Sequence, residues 1–399
     1  MTTPCRHRAW PGKGSLLVSL VVMGLVLLLF TCVKPAAADE PPKPDIPDIP
    51  AIPADDPDKV EEDKELNAAV ALGLEWLAGH QEKDGHWSLE AFHKNHAKCT
   101  CRDAGGMKND TAATALALLP FLGAGHTQIP PKDKSKADHS TIVKNGLTYL
   151  VDHQNKEGAF DDNMYAQGLA TLALCRAYGM TTDPKLKPAA EKAIAYLVKA
   201  QHKGGGWRYK PGQEGDTSVT GWQLLALKEG QIAGLDVPKK TTDGVEKFLD
   251  SVMLDSGGYS YVPNETAATS GPTAIGVLSR ELLGWTAKNP NLKKGIALIE
   301  KSPPGEGKSL YRDYFATMAL HHIGGDDWKD WNSKMRDYLL KQQDKGDDAK
   351  HAHQKGSWSP AGDQHGKTGG RIMQTSLSLM TLETNYRHLP LYQRPNDKP

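Results

Sequence analysis

The chain has 399 residues, enough for a large buried core, and its 48 Lys and Arg residues balance its 48 Asp and Glu residues. A chain that binds nucleic acid through its phosphates usually carries a basic surplus. We therefore expect no nucleic-acid partner.

The N-terminal segment, residues 1–38, has the pattern of an export signal. Arg6 and Arg8 precede an uncharged apolar run over residues 15–33, and three alanines at 36–38 suit cleavage by signal peptidase. This predicts an exported protein of the periplasm or cell envelope. The apolar run is just long enough to span a bilayer, so an uncleaved membrane anchor is the alternative.

A Pro-rich acidic segment follows over residues 39–63. Repeated prolines block helix and sheet, and the acidic residues keep the segment solvated, so it reads as an extended linker. A leader without any role is the other interpretation. We place the folded domain at residues 64–388 and a C-terminal tail at 389–399.

The folded domain contains six repeats of a helical hairpin. The first helices of the pairs are predicted at residues 71–81, 143–154, 190–201, 243–253, 293–302 and 334–343. The second helices are predicted at residues 110–125, 164–179, 216–230, 270–284, 311–325 and 371–383. Five of the first helices lead into a turn of Gly and an aromatic residue, at Trp87, Phe160, Trp207, Tyr259 and Trp358.

The two sets of helices differ in composition. The second helices are rich in Ala, Gly, Thr and Leu and poor in charge, which is typical of helices buried on all sides. The first helices keep Lys and Glu on one face. We therefore predict an all-α fold, an α/α toroid of six helical hairpins in two concentric rings. The second helices form the inner ring, with Leu116, Leu172, Leu224 and Met318 in the core and Lys83, Lys192 and Lys247 outside.

The repeat itself resembles a known motif. An outer helix that ends in Gln, as at Gln81 and Gln201, and then Gly with an aromatic residue is similar to the QW-type repeat of the squalene cyclase and protein prenyltransferase superfamily. The resemblance implies the toroid fold. It does not imply one activity, because the same fold serves terpenoid cyclases, zinc-dependent prenyltransferases and complement-type thioester domains. The thioester motif Gly-Cys-Gly-Glu-Gln does not occur in this sequence.

In such a toroid the N-termini of the inner helices converge on one mouth of the central cavity. Their unpaired N–H groups and helix dipoles would attract an anion such as a diphosphate or carboxylate. The candidate ligand-binding residues at these ends are Asp110, Tyr165, Tyr311, Arg312, Arg371 and Gln374. Helix capping is the alternative explanation for Asp110. An Arg at a helix start opposes the dipole, so Arg312 and Arg371 need another reason.

Comparison with the prenyltransferases adds Trp222 and Gln223. The residues from Asp216 to Gln223 resemble the family's zinc-binding Asp-x-Cys with its downstream Trp-Gln, which implies a place in the ligand site. Ser218 stands where the family has a thiolate, and Gln374 stands where it has a histidine. Zinc needs about four good ligands, so we expect neither zinc nor magnesium at this mouth and no prenyl transfer by the family mechanism.

Comparison with the protonating cyclases leads to the same stretch. Their acid motif is Asp-x-Asp-Asp before Thr, and here residues 213–217 keep only its last Asp, Asp216. Glu214 could substitute in part if its loop folds inward. We expect Asp216, at a helix N-terminus, to stay ionised, which does not suit a strong general acid. A divergent enzyme would use Glu214, Asp216 and Asp313 as its acids.

A separate cluster precedes the first inner helix. His93, His96, Cys99 and Cys101 are spaced H-x2-H-x2-C-x-C, and two imidazoles with two sulfurs can bind tetrahedral zinc. Zinc is the cofactor that the sequence suggests. A disulfide between the two cysteines, favoured by export, is one alternative. Two free thiols with unrelated histidines are another.

Three functions follow from these patterns. The leading hypothesis is an exported binding protein that holds an apolar isoprenoid-like small molecule or a peptide in the toroid's cavity. The second is a divergent terpenoid cyclase or prenyl transferase. The third is an envelope interaction module with a filled centre. An open, aromatic-lined cavity would favour the first two hypotheses, and a packed centre would favour the third.

Overall fold

The computed structural model describes residues 63–94 and 99–385. The predicted signal or anchor, nearly all of the linker, the C-terminal tail and His96 lie outside the described residues. Within the described ranges, no helix is both long and apolar enough to cross a membrane.

The described residues form twelve α-helices that alternate between an outer and an inner position. The outer helices are α1 (Lys64–Ala78), α3 (Ser140–Asp152), α5 (Lys187–Ala200), α7 (Lys239–Val252), α9 (Pro290–Glu300) and α11 (Gly325–Gln342). The inner helices are α2 (Asp110–Gly123), α4 (Met164–Thr181), α6 (Thr217–Ile232), α8 (Ser270–Leu282), α10 (Leu310–Ile323) and α12 (Gly366–Leu382). Between residues 63 and 385, omitting 95–98, β-structure is limited to two isolated bridges, Met253 with Tyr259 and Gln343 with Trp358.

The inner helices form a closed ring. Each packs against the next in chain order, and α12 packs against α2, while each outer helix lies against two inner ones. This arrangement confirms the predicted α/α toroid of six hairpins in two concentric rings.

Burial follows the difference in composition. Leu116, Leu172, Leu224 and Met318 on the inner helices are buried, and Lys83, Lys192 and Lys247 on the outer side are exposed. Because the inner helices are enclosed by neighbours on both sides and by the outer ring, small and apolar residues are needed all round them.

The recurring spacing of Gln and Gly, four residues apart in the first three hairpins, has a direct structural cause. The Gln201 side-chain amide donates to the carbonyl of Gly205 at 2.7 Å and to that of Thr241, in the next outer helix, at 2.9 Å. Gly205 has φ 93°, and a Cβ there would lie 1.7 Å from the carbonyl oxygen of Gly244. The glutamine therefore ties its own turn to the next repeat, and the glycine permits the close approach.

The same clamp closes the ring. Gln343, in the last hairpin, donates to the carbonyl of Gly356 at 3.0 Å and to that of Ala69, in the first helix, at 2.8 Å. Both hydrogen bonds are buried. The sixth repeat therefore contacts the first in the way that the first three repeats contact their successors, through Gln81, Gln154 and Gln201.

Tryptophans in three of the turns hold the ends of their outer helices. Trp207 donates its indole N–H to the carbonyl of Leu197 at 2.9 Å. Trp87 and Trp358 make the equivalent bonds to Leu77 and Leu339, at 2.7 and 2.8 Å. These bonds add an indole donor to a carbonyl in the last turn of each of these helices, where intrahelical donors run out.

Candidate functional site

A cavity of about 590 Å³ opens at the end of the toroid where the inner helices begin. Four inner helices line it with residues at positions i and i+4, which share one helix face. These pairs are Ala112 with Leu116, Tyr165 with Leu169, Ser218 with Trp222, and Met373 with Leu377. The converging N-termini expected from the sequence thus form the wall of the cavity.

Aromatic side chains dominate one side of this cavity. Tyr165, Tyr209, Trp222, Tyr261 and Tyr311 all line it. The indole N–H of Trp222 donates to the Tyr311 hydroxyl at 2.8 Å, and the Tyr209 and Tyr261 hydroxyls lie 2.5 Å apart. Among the described residues, the lining contains no Asp, Glu, Lys or Arg. The wall therefore offers apolar area and a few neutral hydroxyls.

Sequence reasoning missed Tyr209 and Tyr261. Both stand two residues after the turn aromatic of their repeat, Trp207 and Tyr259, and Leu89 holds the same place after Trp87. The position of these residues within the repeat could therefore have identified them from the sequence. Position +2 from the turn aromatic points to the cavity in three of the hairpins.

Helix capping accounts for much of the polar chemistry at the mouth. The side chains of Asn109, Asn163, Asp216 and Ser309 each accept a backbone N–H in the first turn of an inner helix. These bonds occupy N–H groups that an anionic ligand would otherwise use.

Arg312 and Asp313 form a buried pair away from the cavity. Their guanidinium and carboxylate atoms lie 2.7 Å apart, and Arg312 also donates to the carbonyl of Ile299 in α9 at 2.5 Å. The Arg312 guanidinium lies 5.2 Å from the ring centre of Trp331 in α11. Burial raises the pKa of Asp313, against the lowering effect of Arg312. The pair holds two outer helices against α10, which explains an Arg at a helix start.

Arg371 has a comparable structural role. Its guanidinium lies 2.6 Å from the carboxylate of Asp103, and it donates to the Ser357 hydroxyl at 2.9 Å. It stands directly after a kink in α12 at Gly370, where φ is 61°. Arg371 therefore holds the loop that precedes α2 against α12. It does not line the cavity.

The other candidate residues divide between the wall and the interior. Tyr165, Trp222 and Tyr311 line the cavity. Gln223 is buried and donates to the carbonyl of Met164 at 2.7 Å. Gln374 is also buried, beside the lining residue Met373. Asp110 and Glu214 fall outside the lining. Asp110 is half-buried, with its carboxylate 3.8 Å from His86, and Glu214 is exposed.

The pKa of Asp216 is shifted in the direction opposite to that expected for a carboxylate at a helix N-terminus. Burial raises the pKa of its carboxyl to about 6, although hydrogen bonds from the Val219 amide and the Tyr261 hydroxyl and the charge of Arg208 lower it. The carboxyl lies just behind the aromatic wall, since Tyr261 lines the cavity. Desolvation therefore outweighs capping at this helix start.

The residue before Asp216 has no space for a side chain. A Cβ at Gly215 would lie 2.7 Å from the Gly206 Cα and 2.9 Å from a ring carbon of Phe248. The protonating cyclases have an acidic residue at the corresponding place in their motif. Here the backbone of the Gly-aromatic turn occupies that space.

The cysteine cluster forms with a different histidine from those predicted. The ligand atoms of His80, Cys99 and Cys101 all lie within 4.8 Å of one another. Both cysteines are free thiols, and burial raises the pKa of Cys101 to about 12. His93 lies in the same insertion and packs beside Phe92. His80 lies two residues after the end of α1, so its proximity to the cysteines depends on how the insertion folds back.

Comparison with known proteins gives partial sequence matches. A model of the pectic acid lyase family matches residues 131–219. A probable squalene–hopene cyclase of Sinorhizobium fredii is 28% identical over 191 residues, covering 41% of this chain and 27% of that protein. A drimenyl diphosphate synthase of Streptomyces showdoensis is 26% identical over 135 residues, covering 32% and 25%. The chain thus matches about a quarter of the length of these relatives.

Solved structures match over most of the fold. An α-1,6-mannanase of Salegentibacter, in complex with a mannotriose, has a TM-score of 0.57 at 11% identity and covers 82% of this chain and 100% of that one. The type II terpene cyclase MstE of Scytonema has a TM-score of 0.52 at 14% identity and covers 80% and 97%. At this identity the likeness concerns the fold alone. Together with the sequence matches, it supports the resemblance to the squalene cyclase-like superfamily.

Proposed function

We propose that this protein binds an uncharged, largely apolar small molecule of isoprenoid type in its central cavity. The observation that carries the proposal is the cavity wall, which combines Trp222 and four tyrosines with apolar side chains. Within the described residues it includes His365 but no Asp, Glu, Lys or Arg. A volume of about 590 Å³ falls in the usual range for a small-molecule site. The open cavity also argues against an interaction module with a filled centre.

The charge of the wall distinguishes between classes of isoprenoid. A diphosphate needs cations or unpaired N–H groups. The two arginines of the inner-helix N-termini, Arg312 and Arg371, are taken up by ion pairs with Asp313 and Asp103. The alcohol or hydrocarbon form of an isoprenoid therefore suits this wall better than its diphosphate. A polyanionic glycan is disfavoured for the same reason.

A binding measurement with matched ligands tests this proposal. Trp222 lies in the wall, so its fluorescence reports on occupancy. We expect geranylgeraniol to bind, geranylgeranyl diphosphate to bind no more tightly, and a neutral mannan oligosaccharide or an apolar peptide to give no saturable change. Saturable binding of the sugar or the peptide alone would overturn the isoprenoid assignment.

A cavity-filling variant supplies the control. Gly271 lines the cavity, and a Cβ there would meet no atom within 4 Å. Gly271→Trp should therefore fill the cavity without disturbing the helix. Ala195→Trp, on the exposed side of α5, is the matched substitution outside the site. Loss of binding in the first variant but not in the second would support the cavity as the site, and equal binding by both would contradict it.

Catalysis by Asp216 is the second candidate, because a carboxyl with a pKa near 6 can carry a proton at mildly acidic pH. Tyr261 lies between this carboxyl and the cavity. Incubation with polyprenes and analysis by gas chromatography and mass spectrometry would detect a cyclic product. A product that disappears in Asp216→Asn would favour an enzyme over a binding protein.

Export remains part of the proposal. It depends on residues 1–38, whose pattern favours a signal or a membrane anchor. Fractionation of cells that express the full chain, with N-terminal sequencing of the mature protein, would separate a cleaved signal from an anchor. Recovery of uncleaved protein in the cytoplasm would contradict export.

A further inference from the structure

The first hairpin contains a compact group of metal-binding atoms that the proposed function does not use. One ligand atom from each of His80, Cys99 and Cys101 lies within 4.8 Å of the other two. His80 and Cys101 are only 5% and 4% exposed. Two sulfurs and an imidazole in such proximity form a soft donor set, of the kind that binds zinc rather than calcium or magnesium.

The orientation of His80 suits metal binding. Its Nδ1 lies 2.7 Å from the carbonyl oxygen of Trp76. Since a carbonyl can only accept, Nδ1 carries the proton and Nε2 has the lone pair. Nε2 lies 3.4 Å from the Cys99 sulfur. Tetrahedral geometry with ordinary zinc distances separates a nitrogen and a sulfur ligand by about 3.5 Å. The carbonyl bond also fixes the tautomer, as the outer partners of zinc-bound histidines do.

The repeat explains the orientation of this histidine but not the cysteines. His153 holds the same place in the second hairpin, and its Nδ1 lies 2.8 Å from the carbonyl of Tyr149. Only the first hairpin adds an insertion that brings Cys99 and Cys101 against the ring. A further backbone N–H, that of Cys101, points to the Cys99 sulfur at 3.4 Å and would stabilise a thiolate there.

We propose that His80, Cys99 and Cys101 bind one zinc ion. Binding replaces the two thiol protons, which pass to solvent, and leaves two thiolates and one neutral imidazole on the metal. His93 is a candidate for the fourth position, because its Nδ1 is buried without a hydrogen-bond partner.

The position of the cluster indicates a structural role. Without metal, the Cys101 thiol donates to the carbonyl of His353 at 3.0 Å, so the cluster lies where the end of α1, the insertion and the segment after α11 meet. Zinc would take the place of this thiol proton and link the same segments through its ligands. Farther along the insertion, the Met107 amide donates to Thr368 at 3.0 Å, and Met107 lines the cavity. A zinc ion here would hold the loop that forms part of the cavity wall. This inference does not depend on which ligand the cavity binds.

Metal analysis of the full chain tests the proposal. Protein from zinc-supplemented medium, purified without reductant or chelator, should contain one zinc per chain by inductively coupled plasma mass spectrometry. His80→Ala, Cys99→Ser and Cys101→Ser should each weaken zinc affinity by at least about 100-fold, because each removes a direct ligand. His153→Ala and Cys175→Ser are matched controls, since they remove a histidine in the same repeat position and a buried thiol elsewhere, and both should keep the zinc.

A measurement on the unmodified protein guards against variants that fail to fold. Cys99 and Cys101 should resist alkylation until a chelator is added, and cobalt substitution should give a thiolate charge-transfer band. Zinc-free protein with two reactive thiols would overturn the proposal. So would an intact mass with two hydrogens missing from a Cys99–Cys101 disulfide, or full zinc content in a correctly folded His80→Ala variant.

Discussion

Replacing Asp216 by Asn should stabilise the protein at neutral pH. Asp216 is fully buried, and its Oδ1 accepts the Val219 amide at 2.8 Å as the cap of α6. Asparagine is an equally good N-cap of the same shape. The substitution therefore keeps the cap and removes the charge, which isolates the cost of the buried carboxylate.

The magnitude follows from the pKa of this carboxyl. It lies at about 6 in the folded protein, against an ordinary value of 3.8. At about 1.36 kcal/mol for each pH unit, this difference destabilises the ionised folded state by about 3 kcal/mol. Because the folded pKa is the higher one, the cost is absent below pH 3.8, grows as the pH rises, and is complete above about pH 6.

Urea unfolding across a pH series measures the effect. At about pH 7.5 we expect Asp216→Asn to exceed the wild type by up to about 3 kcal/mol in free energy of unfolding, and at about pH 4 the difference should almost vanish. Circular dichroism and fluorescence should be followed together, since a domain of this size can unfold in more than two states. Asp110→Asn, at the half-buried Asp-Thr start of α2, should change stability by no more than about 0.5 kcal/mol. A gain that is equal at both pH values, or a loss at neutral pH, would refute the reasoning.

Two further variants test the devices that join the repeats. Gln343→Ala removes two buried hydrogen bonds, to the carbonyls of Ala69 and Gly356, so it should cost about 1–3 kcal/mol. It should also speed hydrogen exchange in α1, and unchanged exchange there would argue against ring closure through this residue. Gly205→Ala places a Cβ 1.7 Å from a backbone oxygen, at a residue with φ 93°. It should lower the free energy of unfolding by more than the roughly 1 kcal/mol that an unfavourable φ alone costs, as measured by the urea midpoint. Gly271→Ala, where a Cβ meets no atom within 4 Å, should cause no measurable loss.

Local sequence patterns were sufficient for the fold. The second helices are apolar on all faces, and such helices can be stable only when they are surrounded by other helices. The repeated Gln and Gly-aromatic turn added the connection between hairpins, because the turn recurs in five hairpins and the Gln in four of them. Both signals are local and repeated six or nearly six times, so errors in one repeat did not change the prediction.

The cavity wall was partly visible in the sequence. Tyr165, Trp222 and Tyr311 could be placed at the inner-helix starts, where periodicity points them to the centre. Tyr209 and Tyr261 lie in loops, whose direction depends on contacts with the next repeat. Arg312 and Arg371 were assigned to the mouth because the helix dipole alone gave them no other role, whereas the structure pairs them with Asp313 and Asp103.

Two features were decided only by the tertiary structure. The sequence places Asp216 at a helix start, where local electrostatics lower a pKa, but the amount of water around the carboxyl depends on packing against Tyr261 and the neighbouring hairpin. Likewise, His80 and Cys99 are 19 residues apart and come within 3.4 Å because the insertion folds back on α1. Desolvation and contacts between distant residues arise only when the ring is assembled. The local sequence pattern that predicts the hairpins therefore cannot predict either of them.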